Sequence, residues 1–258
     1  MTDYQPSALA KEMMRYFDCP CEVFAPMEDD DPLLAAYENA RQEGLREGFT
    51  PVLVKVDDTL MECLVMNADE ENEPDFTLPA VRAYRARLLN GGLPDGKDCL
   101  QEWETQRREE AEEDGFSWDD VLGETAGGEP NDRFSAYWNY ETSFTDEVIL
   151  AKVPTDKAWQ VFAWLPMGNW NDCPDTPALM AVAKRWQENF GAVPACISHD
   201  ELEFLLPAPV ADPNAAQELA LEQYAFCPDR VEQCEEDGSV GKLADSLTKS
   251  TVWYFWWD

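Results

Sequence analysis

The chain is short of positive charge and almost without histidine. Its 258 residues hold 19 Lys and Arg against 53 Asp and Glu, a formal net charge of −34, and a single histidine, His199. Such a surface repels phosphate backbones, whose recognition rests on Lys and Arg neutralising phosphates, so no nucleic-acid partner is expected. Anionic membrane surfaces are disfavoured for the same reason. No apolar run approaches the roughly 18–20 residues of a membrane span. Residues 1–14 carry no apolar stretch of the signal-peptide kind, so a soluble, cytoplasmic protein is expected. One histidine also leaves few ligands for zinc: Cys19-Pro-Cys21 has one intervening residue, and no second cysteine pair answers it at zinc spacing. Neither a metal nor a cofactor is expected.

What is present points to a packed protein. Hydrophobic residues make up 45% of the chain, too many for a disordered one. The eight cysteines form no dense framework and read as small buried hydrophobes or reduced thiols. The acidity is uneven: residues 1–143 carry 34 acids and 12 bases, and residues 144–258 carry 19 and 7. A basic protein partner would be steered in by this field, although acidity can equally serve solubility alone.

Periodicity and punctuation give a run of elements. Ser7–Phe17 reads as an amphipathic helix and Cys21–Ala25 as a strand. Asp31-Pro32 starts a helix that ends at Gly48, and Thr50–Val56 is a strand after it. Asp58 caps a short helix, 67–78 is an acidic loop, Pro79–Leu89 is a helix, and Asp98–Glu113 is a polar surface helix. Gly123–Asp132 is the best linker, dividing an acidic α/β region (1–130) from a C-terminal α/β domain (140–258). In the latter, Glu147–Val153 and Lys157–Leu165 read as strands. Asp175–Gly191 is a helix, Pro194–Ser198 and Leu202–Leu206 are strands around His199-Asp200, and Asp212-Pro213 and Ser239 begin two further helices. The fold class is α/β (or α+β): a mixed sheet with helices packed on it, in two lobes. The terminal Trp253-Tyr-Phe-Trp-Trp-Asp258 puts five large aromatics in six residues, which suits a central strand buried on both faces.

Three segments carry the functional expectation. Gly168-Asn-Trp-Asn-Asp-Cys-Pro174 follows a strand and precedes a helix, so Asn169, Trp170, Asn171 and Cys173 sit where either a ligand loop or a self-bonded Asn turn would form. His199 with Asp200 offers the chain's one imidazole as a general base, or simply a turn between two strands. Cys227, Asp229 and Gln233 lie in Tyr224-Ala-Phe-Cys-Pro-Asp229 and its continuation. Cys173 and Cys227 would need a base to act as nucleophiles, and buried structural thiols are the simpler reading. Glu218 and Glu222 share a helix face, an arrangement that could do acid/base work or hold a hard metal, with a solvated surface as the simpler reading.

Together with the terminal aromatic run, these motifs resemble, in the same order, a bacterial family known as domain of unknown function 4253. The resemblance covers about residues 144–258 and extends weakly to Phe49-Thr-Pro-Val-Leu-Val54. Where the family reads Gly after the motif's Gln, this chain has Cys234 after Gln233. The resemblance implies no reaction, and no residue is assigned as catalytic. Three classes of function therefore stand: a binding module for a basic protein, an immunity-type role being one form of it; an enzyme or small-ligand binder where Gly168–Pro174, His199-Asp200 and Cys227–Gln233 converge; or a scaffold docking through helix 98–113. The first is favoured, because charge of one sign speeds association with a basic partner.

Overall fold

A computed structural model describes residues 4–68, 76–233 and 238–258. Most of the acidic loop and Cys234 lie outside them. The chain forms α1 (Ala8–Phe17), β1 (Cys21–Phe24), α2 (Asp31–Glu47), β2 (Thr50–Lys55), α3 (Asp58–Ala68), α4 (Leu78–Asn90), α5 (Gly96–Glu113) and α6 (Trp118–Leu122). After two short strands, β3 (Trp138–Asn139) and β4 (Phe144–Thr145), come β5 (Val148–Val153), α7 (Thr176–Phe190), β6 (Val193–Ile197) and β7 (Glu201–Leu205). The chain closes with α8 (Pro213–Phe226), α9 (Asp229–Glu232), α10 (Val240–Leu247) and β8 (Val252–Trp256). No helix among the described residues is long and apolar enough to cross a membrane.

The α/β class holds, as one six-stranded mixed sheet ordered β1-β5-β2-β6-β7-β8. Two of its strands come from residues 21–55 and four from residues 148–256. The Gly123–Asp132 segment runs along α10 and β8: Gly128 N–H donates to Asp245, and the Asn131 carbonyl accepts from Thr251 and Val252. The hydrophobic strands are buried on both faces, which explains their β-branched runs. Val52, Val54, Ile149 and Ala151 point into the larger core, while Leu53, Val148 and Leu150 point into a smaller one beneath α2.

Three local readings change. Lys157–Leu165 is no strand; Ala158–Ala163 forms a 3-10 turn with Ala158, Val161 and Phe162 buried. Its apolar positions recur every three residues, which suits a tight helix better than alternation. Helix α2 takes Asp30 as N-cap, but that side chain turns inward to the Tyr137 hydroxyl at 2.7 Å and to Arg133. The terminal aromatic strand β8 is an edge strand, not a central one. It is buried nonetheless, because Trp253, Phe255 and Trp257 face the larger core while Tyr254 and Trp256 turn to the other side.

Within the sheet β2 and β6 are the parallel pair, with Leu53 opposite Cys196 and Val54 opposite Ile197. The residues leaving their carboxyl ends, Asp57 and His199, emerge side by side. In α/β sheets this is the edge where ligand sites form.

Candidate functional site

The His199 ring stands in the turn between β6 and β7. Ser198 builds that turn: its hydroxyl accepts from Glu201 N–H at 2.9 Å and donates to Asp200 Oδ1 at 2.8 Å. The ring's orienting partner comes from far away in sequence. Asp57 Oδ2 lies 2.8 Å from His199 Nδ1, and Asp57 Oδ1 caps α3 by accepting from Leu60 N–H at 3.0 Å. Asp200 Oδ1 is 3.4 Å from the same ring nitrogen, and its Oδ2 accepts from the Trp256 indole at 3.1 Å. Trp170 stacks on the imidazole with centroids 6.2 Å apart. No described residue hydrogen-bonds Nε2. The side chains of His199 and Asp57 are 30% and 14% exposed, so solvent reaches the ring.

Electrostatics follow the geometry. The Asp57 hydrogen bond raises the His199 pKa above its usual 6.5; burial and Lys55 oppose this, and the Asp200 and Asp57 charges add to it. Burial works to raise the Asp57 carboxyl, but the His199 and backbone N–H bonds prevail and bring it below the usual range. His199 is the chain's one imidazole, so its proton NMR titration is directly readable. The midpoint is expected above 6.5 in the native chain and lower in Asp57→Asn, which keeps the cap and loses the charge. Equal midpoints would show that the Asp57 contact does not form in solution. The same contact contributes stability that is fully present below pH 6.5 while Asp57 stays ionised, and that is lost as pH rises through the raised folded value of His199.

The loop from Gly168 holds its shape through positive φ at Gly168, Asn169 and Asn171, all left-handed positions that Gly and Asn tolerate. The Asn side chains do not bond the local backbone. Asn169 Nδ2 donates to Asn67 Oδ1 at 3.2 Å, Asn67 in turn donates to the Pro166 and Gly168 carbonyls, and Asn171 donates to the Asp258 carbonyl. Asp258 N–H donates to Asp229 Oδ2 at 3.0 Å, and Gln233 Nε2 donates to Asp229 Oδ1 at 2.6 Å. Cys227 donates to the Trp256 carbonyl at 3.0 Å.

Thus Asn169, Trp170, Asn171, His199, Asp200, Cys227, Asp229 and Gln233 join one connected patch at the sheet's edge. Cys173 lies beneath the loop, and burial drives its thiol well above the ordinary value, so it offers no thiolate. Glu222 is spent on Arg185 Nε at 3.0 Å and on the Trp186 indole at 2.9 Å, so it forms no acid/base pair with Glu218.

Residues 149–258 match the family model of a domain of unknown function, DUF4253. No curated protein and no solved structure matches the chain. All nine residues singled out above belong to the DUF4253 segment. The residues that complete the patch, Asp57 and Asn67, precede it, as does Arg107, which pairs with Asp172 of the 168–174 loop. Their sequence signals were slight, since an Asp before a helix reads only as a cap and an Arg among acids only as a surface charge.

Beside the patch, α5, α6, the 168–174 loop, α8 and α9 enclose a cleft of about 570 Å³. Arg107 lines it, with Nη1 2.7 Å from Glu110 and Nη2 3.1 Å from Asp172. Glu110, Asp114, Asp120, Asp172, Asp229 and Glu232 supply six carboxylates to its wall. The apolar part comprises Ala111, Phe116, Val121, Tyr224 and Val231, with the Tyr224 hydroxyl donating to Glu232 at 2.7 Å. The cleft takes Asp172 from one motif and Pro228–Glu232 from another.

Proposed function

We propose that the protein is a binding module for a basic protein, anchored where a Lys or Arg side chain of the partner enters the cleft between α5, the 168–174 loop and α9. One observation carries this reading: six carboxylates line a cleft with an apolar floor, and its lining arginine, Arg107, is already ion-paired to two of them, Glu110 and Asp172. A volume of about 570 Å³ is in the range of sites that enclose a ligand group. The net charge of −34 would speed the encounter. The exposed ring of Phe116 gives the partner an apolar contact beside the acids.

The test uses a peptide rich in Arg and Leu, titrated by calorimetry at low and high salt. Asp114 and Asp120 make no side-chain hydrogen bond or ion pair among the described residues, so Asp114→Asn/Asp120→Asn removes cleft charge cleanly. Losing two pairings of somewhat under 1 kcal/mol each is expected to weaken binding about tenfold. A control pair on other helices, Glu12→Gln/Glu47→Gln, is expected to change it less than about twofold, since exposed charges farther than a Debye length are screened. Equal weakening by both pairs would mean that the peptide reads overall charge and not the cleft.

The Asp57–His199 contact supports a second reading, a small-ligand or catalytic site. An imidazole held at Nδ1 by a carboxylate presents Nε2 as a general base. Its test is separate: His199→Gln leaves peptide binding in the cleft unchanged and abolishes whatever chemistry the ring performs.

A further inference from the structure

At the other end of the sheet, the turn from α1 into β1 holds an arrangement that the cleft does not use. Asp18 ends α1 in the left-handed conformation, and Cys19 and Cys21 follow it around Pro20. The Cys21 sulfur lies 3.3 Å from the Cys19 carbonyl oxygen and within hydrogen-bonding reach of the Cys19 thiol. Both cysteines are half-buried, so neither is sealed from solvent.

Arg85, a buried guanidinium on α4, stands over this turn. Its Nη2 donates to the Phe17 carbonyl at 3.2 Å, its carbon sits 4.5 Å above the Trp164 ring, and its Nε has no hydrogen-bond partner among the described residues. The nearest carboxylate is Asp18, 3.8 Å away, and Arg82 holds both Asp18 oxygens at 2.6 and 2.8 Å. A buried cation whose counter-charge is shared in this way favours a second anion beside it. The Cys19 thiol lies within the electrostatic reach of Arg85, so its ionised form would supply that anion.

We propose that Cys19 and Cys21 form a redox-active dithiol that exchanges with low-molecular-weight disulfides. The Cys19 thiolate attacks one sulfur of the external disulfide, forming a mixed disulfide and releasing one thiolate. The Cys21 thiol loses its proton to solvent and attacks the Cys19 sulfur, releasing the second thiolate. Two cysteine thiols become one disulfide, and the external disulfide is reduced to two thiols. The roles follow from the surroundings. The hydrogen bond from Cys21 lowers the Cys19 thiol against burial, with Arg85 helping and Asp18 opposing, while the same bond and burial raise Cys21. A low attacking thiol and a high resolving one suit that order.

The experiment treats the full chain with glutathione disulfide at pH 7 and maps its peptides by mass spectrometry. Cys63 and Cys99, half-buried with their thiols raised chiefly by burial, serve as internal references. The expected map shows a Cys19–Cys21 disulfide while both references remain thiols. Cys21→Ser is expected to accumulate the glutathione mixed disulfide at Cys19. Iodoacetamide at pH 6.5 should alkylate Cys19 about tenfold faster than either reference, because more thiolate outweighs the lower nucleophilicity of a more acidic thiol. A map in which the pair stays reduced, or in which Cys63 or Cys99 reacts first, overturns the assignment.

Discussion

A chain lacking Trp253–Asp258 is expected to lose its cooperative unfolding transition. Among the described residues strand β8 pairs with β7 alone, yet it carries the centre of an aromatic cluster. Phe255 stacks on Trp186 at 5.5 Å, meets Phe204 and Phe226 edge-on, and stacks on Trp257. Trp253 packs edge-on against Trp186 and Phe190. Truncating one such aromatic costs about 3–5 kcal/mol, and a whole domain is stable by only about 5–15 kcal/mol. Removing three buried aromatics therefore exceeds what the fold holds in reserve. Phe255→Ala is the graded version, expected to lose about 3–5 kcal/mol in denaturant unfolding. A truncated chain that kept its melting temperature would show that the cluster is not a structural core.

The second large effect concerns Glu203. This wholly buried carboxylate on β7 accepts from Ser135 N–H at 2.8 Å, the Ser135 hydroxyl at 3.1 Å and Ala136 N–H at 3.2 Å. It ties the 134–136 segment to the sheet. Burial pushes its pKa up to about 8, against those hydrogen bonds and with help from the charge of Glu201. Glu203→Ala leaves buried N–H donors unpaired and is expected to cost about 2 kcal/mol or more. Glu203→Gln separates charge from contact. The folded state holds the proton more tightly than the unfolded chain, so its contribution is fully present below pH 4.5 and lost as pH rises through about 8. Relative to the native chain, Glu203→Gln should gain more than about 1.4 kcal/mol between pH 5 and pH 9, the worth of one pKa unit. Parallel stability curves for the two proteins would mean that Glu203 titrates normally.

Local signals in the sequence were sound where local physics decides. Ser7, Asp175, Asp212 and Ser239 cap the helices expected of them, and the last three flank starts that the sequence marks with Pro or small residues. Strand order was not legible. The run from β1 through α2 to β2 looks like a simple unit, yet β5, nearly a hundred residues later, inserts antiparallel between its strands. Periodicity says which faces are apolar and not which strand meets which. The edge position of β8 escaped for the same reason: five aromatics demand burial, and α7 and α8 bury an edge strand as well as two neighbouring strands would. The site divides similarly. The loop, the turn and the third motif could be picked out because their residue types are unusual for their places. Asp57 meets His199 across 142 residues, and nothing near either marks the other.

The most direct test of the cleft as the recognition site is hydrogen–deuterium exchange on the full chain, with and without a saturating Arg- and Leu-rich peptide. Protection is predicted at residues 107–121, 169–173 and 224–233, and it should vanish in Asp114→Asn/Asp120→Asn at peptide levels that still saturate the native chain. Protection spread evenly over the acidic helices, or centred on α2 and the opposite end of the sheet, would contradict the account.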